Sequence, residues 1–246
     1  QENHIWATTY DGSVSRFDPA TETFESVELP HGFIAARTHV FRNRHVWIQS
    51  KTNEALRLHY DSLQHCYQTD IRFKSTSNTD TERFIIYEDS ACNEWIAGRH
   101  CGLYLNQQTS DTLQHISPIG VRCVFETNRQ VLWGTMDGTV LTWDKLTRQC
   151  GSIRPGATSP IIAIFQDEGR LLYVTANDGI ITHERQLRPS QHTYISARKD
   201  SQRRLWLGTN SGQLVMFDLR THETQNFRIL DDTHLKSFKP EELKVM

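Results

Sequence analysis

One phrase recurs about six times along the 246-residue chain, and it restricts the fold more than any other feature. The clearest copies are HIWATTYDGSVSRFD (4–18), EWIAGRHCGLYLN (94–106), VLWGTMDGTVLTWD (131–144) and LWLGTNSGQLVMFD (205–218). Each reads as an aromatic strand, a small residue or Thr, a Gly turn, and a second strand of alternating apolar residues. The marker residue falls at Trp6, Trp47, Trp95, Trp133, Tyr173 and Trp206, at intervals of 41, 48, 38, 40 and 33 residues. A period near 40 residues with short strands is that of a propeller blade. Turn signals recur between alternating runs, and no window sustains the i, i+3, i+4, i+7 stripe of a helix. The expected fold is therefore all-β: a β-propeller of about six four-stranded blades, closed by the C-terminal strand.

The third unit gives the grammar, with strands lettered A to D from inner to outer. RFIIYED (83–89) reads as strand A, EWIAG (94–98) as B, LYLN (103–106) as C and TLQHI (112–116) as D. The blades then run 1–31 with 241–246, 32–73, 82–117, 119–154, 159–187 and 192–230. The second unit has no Gly in its B–C turn and is followed by the polar stretch 73–82. The fifth is short, so its outer strand is expected to be stunted or missing. The chain starts on a strand B, and EELKVM at its end resembles a strand A. That strand completes the first blade, or the chain is a piece of a longer array cut inside a blade, and the two accounts are compatible. SFKPEELKV also reads as a helix start with Pro240 in its first turn; the sequence supports either.

Bulk properties narrow the function. Lys plus Arg total 27 and Asp plus Glu 29, so no net basic bias points to nucleic acid. No apolar run approaches the ~18–20 residues of a membrane span, and no signal-peptide pattern opens the chain. Membrane attachment would need segments outside this sequence. Five cysteines leave at least one free, and without a CxxC pair no zinc site is expected. The twelve His are scattered, so no metal and no cofactor are expected. No GxSxG, HExxH, P-loop or GxGxxG stands in a suitable context, and no catalytic residue is assigned.

The blade aromatics Trp6, Trp47, Trp95, Trp133, Tyr173 and Trp206 share strand B, so each is expected to pack against a neighbouring blade rather than to stack on sugar. Asp11, Asp137 and Asp178 each precede a turn Gly, where Asp bonds its own backbone. These B–C turns also offer a rim of polar groups. Tyr10, Asp11, Arg99, His100, Asp137, Asn177, Asp178 and Asn210 are the candidate ligand-binding residues, suited to sugar hydroxyls or a carboxylated sugar.

Several copies resemble the two-component regulator propeller repeat. LWLGTNSGQLVMFDLRTHETQNF (205–227), IYEDSACNEWIAGRHCGLYL (86–105) and HIWATTYDGSVSRFDPATETF (4–24) carry the likeness. The resemblance implies the extracytoplasmic, periplasmic sensor domain of a hybrid two-component system, common in gut Bacteroides-type bacteria. It implies a non-enzymatic module that binds an oligosaccharide, with a second copy or a further propeller of the same chain as partner. Full sensors of that kind carry more blades, a β-sandwich, a membrane helix and a kinase. VWIQSK and LLYVTA depart from the pattern. Two other readings remain. VLTWD resembles a WD-repeat scaffold for protein contacts, although only the reversed pair His31-Gly32 stands near the Gly-His such repeats need. Streptogramin-lyase-type and quinoprotein-type propellers share the W-x-x-T…DG phrase and would be enzymes.

Overall fold

The computed structural model describes residues 4–42, 44–63, 66–75, 82–107, 112–228. Among them the chain is all-β, without a helix, and its strands form six antiparallel sheets. The first holds β1 (Ile5–Thr8), β2 (Val14–Asp18) and β3 (Thr23–Val27). The second holds β4 (Ala35–Val40), β5 (Val46–Ser50), β6 (Glu54–Asp61) and β7 (Cys66–Lys74). The third holds β8 (Ile85–Glu88), β9 (Glu94–Gly98), β10 (Gly102–Asn106) and β11 (Gln114–Ser117). The fourth holds β12 (Val121–Glu126), β13 (Gln130–Thr135), β14 (Val140–Asp144) and β15 (Gln149–Ile153). The fifth holds β16 (Ile161–Asp167), β17 (Arg170–Thr175), β18 (Ile180–Ile181) and β19 (Gln186–Arg188). The sixth holds β20 (Tyr194–Lys199), β21 (Arg204–Thr209), β22 (Gln213–Asp218) and β23 (Thr224–Arg228).

Within every sheet the strands pair in sequence order, so each is a meander of the blade type that the repeat predicts. The first shows strands B, C and D among the described residues. The segment 241–246 expected to complete it, and the helix reading around Pro240, lie outside the described residues. The fifth blade is stunted as expected, but its outer strand is present as three residues of β19.

The chain divides into two compact units, Gln1–Val121 and Arg122–Met246. In each, side chains alternate along a strand B into two separate cores, because successive residues of a strand face opposite sides. In the first unit Val46 and Ile48 of β5 pack with Val14, Leu56 and Leu58, while Trp47 between them packs with Phe73, Phe84 and Ile96. In the second, Leu172 and Val174 of β17 join Tyr194, Leu205 and Phe217, while Tyr173 joins Leu132, Ile161 and Ile164. Both faces of these inner strands are therefore dry, which explains their continuous apolar runs.

The strand-B aromatics follow the same logic. Trp47, Trp95, Trp133 and Tyr173 are all at most 1% exposed, so they are core. Trp6 and Trp206 are half-buried. Trp6 meets Tyr67 edge-on at 4.8 Å, and Trp206 lies 5.9 Å from Phe227. The Asp six residues before an aromatic also has a physical role. Asp89 accepts the Trp95 indole N–H at 2.9 Å and the Ala91 and Asn93 amides at 2.9 Å. Asp200 does the same for Trp206 (2.8 Å) and for the Gln202 and Arg204 amides. One carboxylate thus closes the A–B turn and satisfies the indole N–H.

Candidate functional site

Strand B ends on Thr or Ser in five of the six sheets, and a hydroxyl at or next to that end bonds into the B–C turn. Thr135 donates to the Thr139 carbonyl at 2.6 Å, Thr175 to Gly179 at 3.1 Å and Thr209 to Gln213 at 3.1 Å. In the first sheet the next residue, Thr9, donates to Ser13 at 3.1 Å. The third sheet ends on Gly98 instead, and a carboxylate takes the space. A Cβ on Gly98 would lie 2.5 Å from Glu82 Oε1, which accepts the His100 amide at 2.7 Å.

The turns sit against the D–A connections. Gly12, at φ +93°, presses on Ile34, and its carbonyl accepts the Ala35 amide at 3.1 Å. A Cβ on Gly179, at φ +100°, would lie 2.0 Å from the Arg188 carbonyl. In the first unit this brings three turns into contiguity. Lys51 donates to the Tyr10 carbonyl, and its ammonium lies 4.5 Å over the Tyr10 ring. Asn53 accepts the Glu82 amide at 2.8 Å, and Glu82 holds His100. Tyr10, Asp11, Arg99 and His100 are all exposed there, Tyr10 at 95%.

In the second unit the turns are joined likewise. Gly138 lies against Ala157, and the adjacent Thr158 and Ser159 bond Asp178. The Asn177 amide donates to Ser159 Oγ at 3.0 Å, the Tyr194 amide to the Ala176 carbonyl at 2.8 Å, and the Asn210 amide to the Thr193 carbonyl at 3.0 Å. Asp137, Asn177 and Asn210 are exposed and Asp178 is half-buried.

The three turn aspartates are engaged in turn chemistry. Asp11 bonds the Thr9 and Ser13 hydroxyls, and these hold its carboxyl below the ordinary range, the Thr9 bond most. Asp137 is opposed by partial burial, but bonds from Thr135 and the Thr139 amide still lower it. Burial likewise opposes Asp178, and four bonds from Thr158 and Ser159 outweigh it. All three are ionised acceptors whose lone pairs are already partly taken. The groups open to a ligand are chiefly Tyr10, Arg99, His100, Asn177 and Asn210, with Lys51, which sequence reasoning missed. The KTNEA turn lacks the Gly that marks its counterparts, so nothing in the phrase singled Lys51 out.

A second polar group escaped the sequence. Arg57 of β6, 3% exposed, binds Asp70 of β7, Glu94 of β9 and Asn106 of β10. The Glu94 contact is 2.9 Å and the Asn106 contact 2.6 Å; His45 Nδ1 lies 2.6 Å from the other Glu94 oxygen. This buried network ties the second sheet to the third.

Among the described residues no three His, Cys, Asp or Glu side chains stand together as a metal site, and no helix is long and apolar enough to cross a membrane. All five cysteines are free. Burial, then the neighbouring Glu82 charge, pushes the Cys101 thiol up to about 12.

No family model matches the chain, and no curated protein matches it. Solved structures do. The extracellular domain of the putative hybrid two component system BT3049 from B. thetaiotaomicron aligns over 85% of this chain at 16% identity and a TM-score of 0.51. This chain spans 31% of that domain, about a third of its length. The computationally designed Ika8 protein aligns over 93% of this chain and 85% of its own, at 12% identity and a TM-score of 0.52. A streptogramin B lyase aligns over 93% of this chain and 80% of its own, at 11% identity and a TM-score of 0.56. At these identities the likeness is one of fold: an extracellular domain, a designed protein and a lyase share it.

Proposed function

We propose that this chain is a ligand-binding sensor module, an extracytoplasmic input domain of a two-component system, that takes a carbohydrate-type ligand at its B–C turns and does no chemistry on it. The observation that carries the reading is Tyr10. Its ring is 95% exposed at the tip of a turn and capped by Lys51, with Arg99 and His100 displayed on a turn of the same unit. An exposed aromatic ring beside the Lys51 ammonium suits a sugar ring bearing a carboxylate, since one apolar face and one charge are matched together. The fold likeness to a two-component extracellular domain supports the same reading. Signalling would follow if the ligand binds one of two domain arrangements more tightly than the other.

The test is calorimetric titration of the domain with uronic-acid-containing and neutral oligosaccharides. The expected result is saturable binding of the charged glycan, weakened at least about tenfold (~1.4 kcal/mol) by Tyr10→Ala or Arg99→Ala. Chromatography of the recovered glycan should return it unchanged. A cleaved or unsaturated product would favour a lyase, and no binding to any glycan would overturn the reading.

A further inference from the structure

The shortened fifth blade opens a pocket of its own. β18 has two residues and β19 three, and the C–D turn between them borders a pocket that Ile153 of the preceding sheet also lines. A cavity of about 420 Å³ lies there, within the 300–1,000 Å³ range of small-molecule sites. Its apolar lining is Ile153, Leu171 and Tyr173, and its polar lining includes Arg170, His183 and Glu184.

Two observations mark this as a site rather than a packing gap. Tyr173 is 1% exposed, yet its hydroxyl bonds no described residue, and the side chain lines the cavity. The hydroxyl is not among the buried unpartnered atoms of the described residues, so it is open to the cavity and available to a polar group of a ligand. Arg170, His183 and Glu184 also make no ion pair or side-chain hydrogen bond with any described residue. Opposite charges thus stand uncommitted around one apolar pocket.

We infer that this pocket binds a free α-amino acid with an apolar or aromatic side chain. The carboxylate pairs with Arg170 and His183, the ammonium pairs with Glu184, and the side chain packs on Ile153, Leu171 and the Tyr173 ring. The charges in the lining require both signs in the ligand, and the apolar lining requires a hydrocarbon body between them. The site shares no residue with the B–C turns, so its test leaves the glycan reading untouched.

The test is titration of the chain with L-phenylalanine, 3-phenylpropionate and 2-phenylethylamine, followed by calorimetry. L-phenylalanine is expected to bind saturably, and each analogue, lacking one charge, at least about tenfold more weakly. Arg170→Met and Glu184→Gln, both on exposed positions, should each weaken L-phenylalanine by a similar factor, and Tyr173→Phe by about threefold or more. The exposed pair keeps the test valid if Tyr173→Phe alters folding. Absence of saturable binding, analogues that bind as well as L-phenylalanine, or Arg170→Met and Glu184→Gln variants that bind like the parent would each overturn the inference.

Discussion

Replacing Arg57 by Met should destabilise the first unit severely. Arg57 is 3% exposed and binds Asp70, Glu94 and Asn106, of which Glu94 and Asn106 are each 1% exposed. Methionine keeps most of the aliphatic length but takes the guanidinium away from the buried Glu94 carboxylate, which His45 also meets. Removing one member of a buried ion pair costs about 3–5 kcal/mol, because the other charge stays desolvated. Glu94→Gln should cost less, about 1–3 kcal/mol, since the amide oxygen can still accept from Arg57. With a urea m-value near ~3 kcal/mol/M, Arg57→Met should lower the unfolding midpoint by about 1–1.7 M. Adding Glu94→Gln to Arg57→Met should recover part of that loss, because the stranded charge disappears. The double-mutant cycle measures this directly, and a coupling of at least ~1 kcal/mol is expected. A midpoint drop under ~0.3 M for Arg57→Met, or strictly additive variants, would refute the network as a tie between the second and third sheets.

Three further outcomes follow from the same geometry. Gly179→Ala should cost several kcal/mol, whereas Gly212→Ala, at φ +74° with nothing within 4 Å, should cost only the ~1 kcal/mol of backbone strain; parallel urea melts compare them. Asp11, Asp137, Asp178 and Asp200 all have carboxyls held below the ordinary range, so the stability they add is full above about pH 4 and is lost as pH falls through their folded values. Thermal melts should therefore be flat from pH 7 to about 5 and drop steeply below about 4, and a midpoint that rises on acidification would contradict this. Cys150, exposed, should react with a thiol reagent at pH 8 in the folded protein, while Cys101, with its thiol near 12, should react only on unfolding. Mass spectrometry of the labelled protein reads both.

The repeat phrase was enough to place all six strands B, because a buried aromatic flanked by alternating apolar residues has one strong solution. It also placed the stunted fifth blade, since a 33-residue interval cannot hold a full outer strand. The turn aspartates were legible for the same reason: their bonds are local. Arg57 was not. Its partners Asp70, Glu94 and Asn106 stand 13, 37 and 49 residues away, and nothing in the local pattern announces an ion pair between blades. The available hint was a charge at a buried position of EALRLHY, and a Glu opening a strand B that elsewhere opens on Val or another non-acidic residue. The unequal burial of Trp6 and Trp206 was equally hidden, because identical phrases meet different neighbours.

The bonds of the turn aspartates separate two kinds of freedom to vary. Asp11 and Asp137 bond only residues two positions away on either side, so each of these carboxylates braces its own hairpin tip from within. Asp178 instead reaches back 20 residues to Thr158 and Ser159. Its tip cannot be swapped without re-lashing the crossing from the fourth sheet to the fifth, and any pull on Asn177 or Asp178 is delivered into that crossing. Substitutions at the aspartate should therefore be felt within the tip alone in the first and fourth sheets, and in both tip and crossing in the fifth.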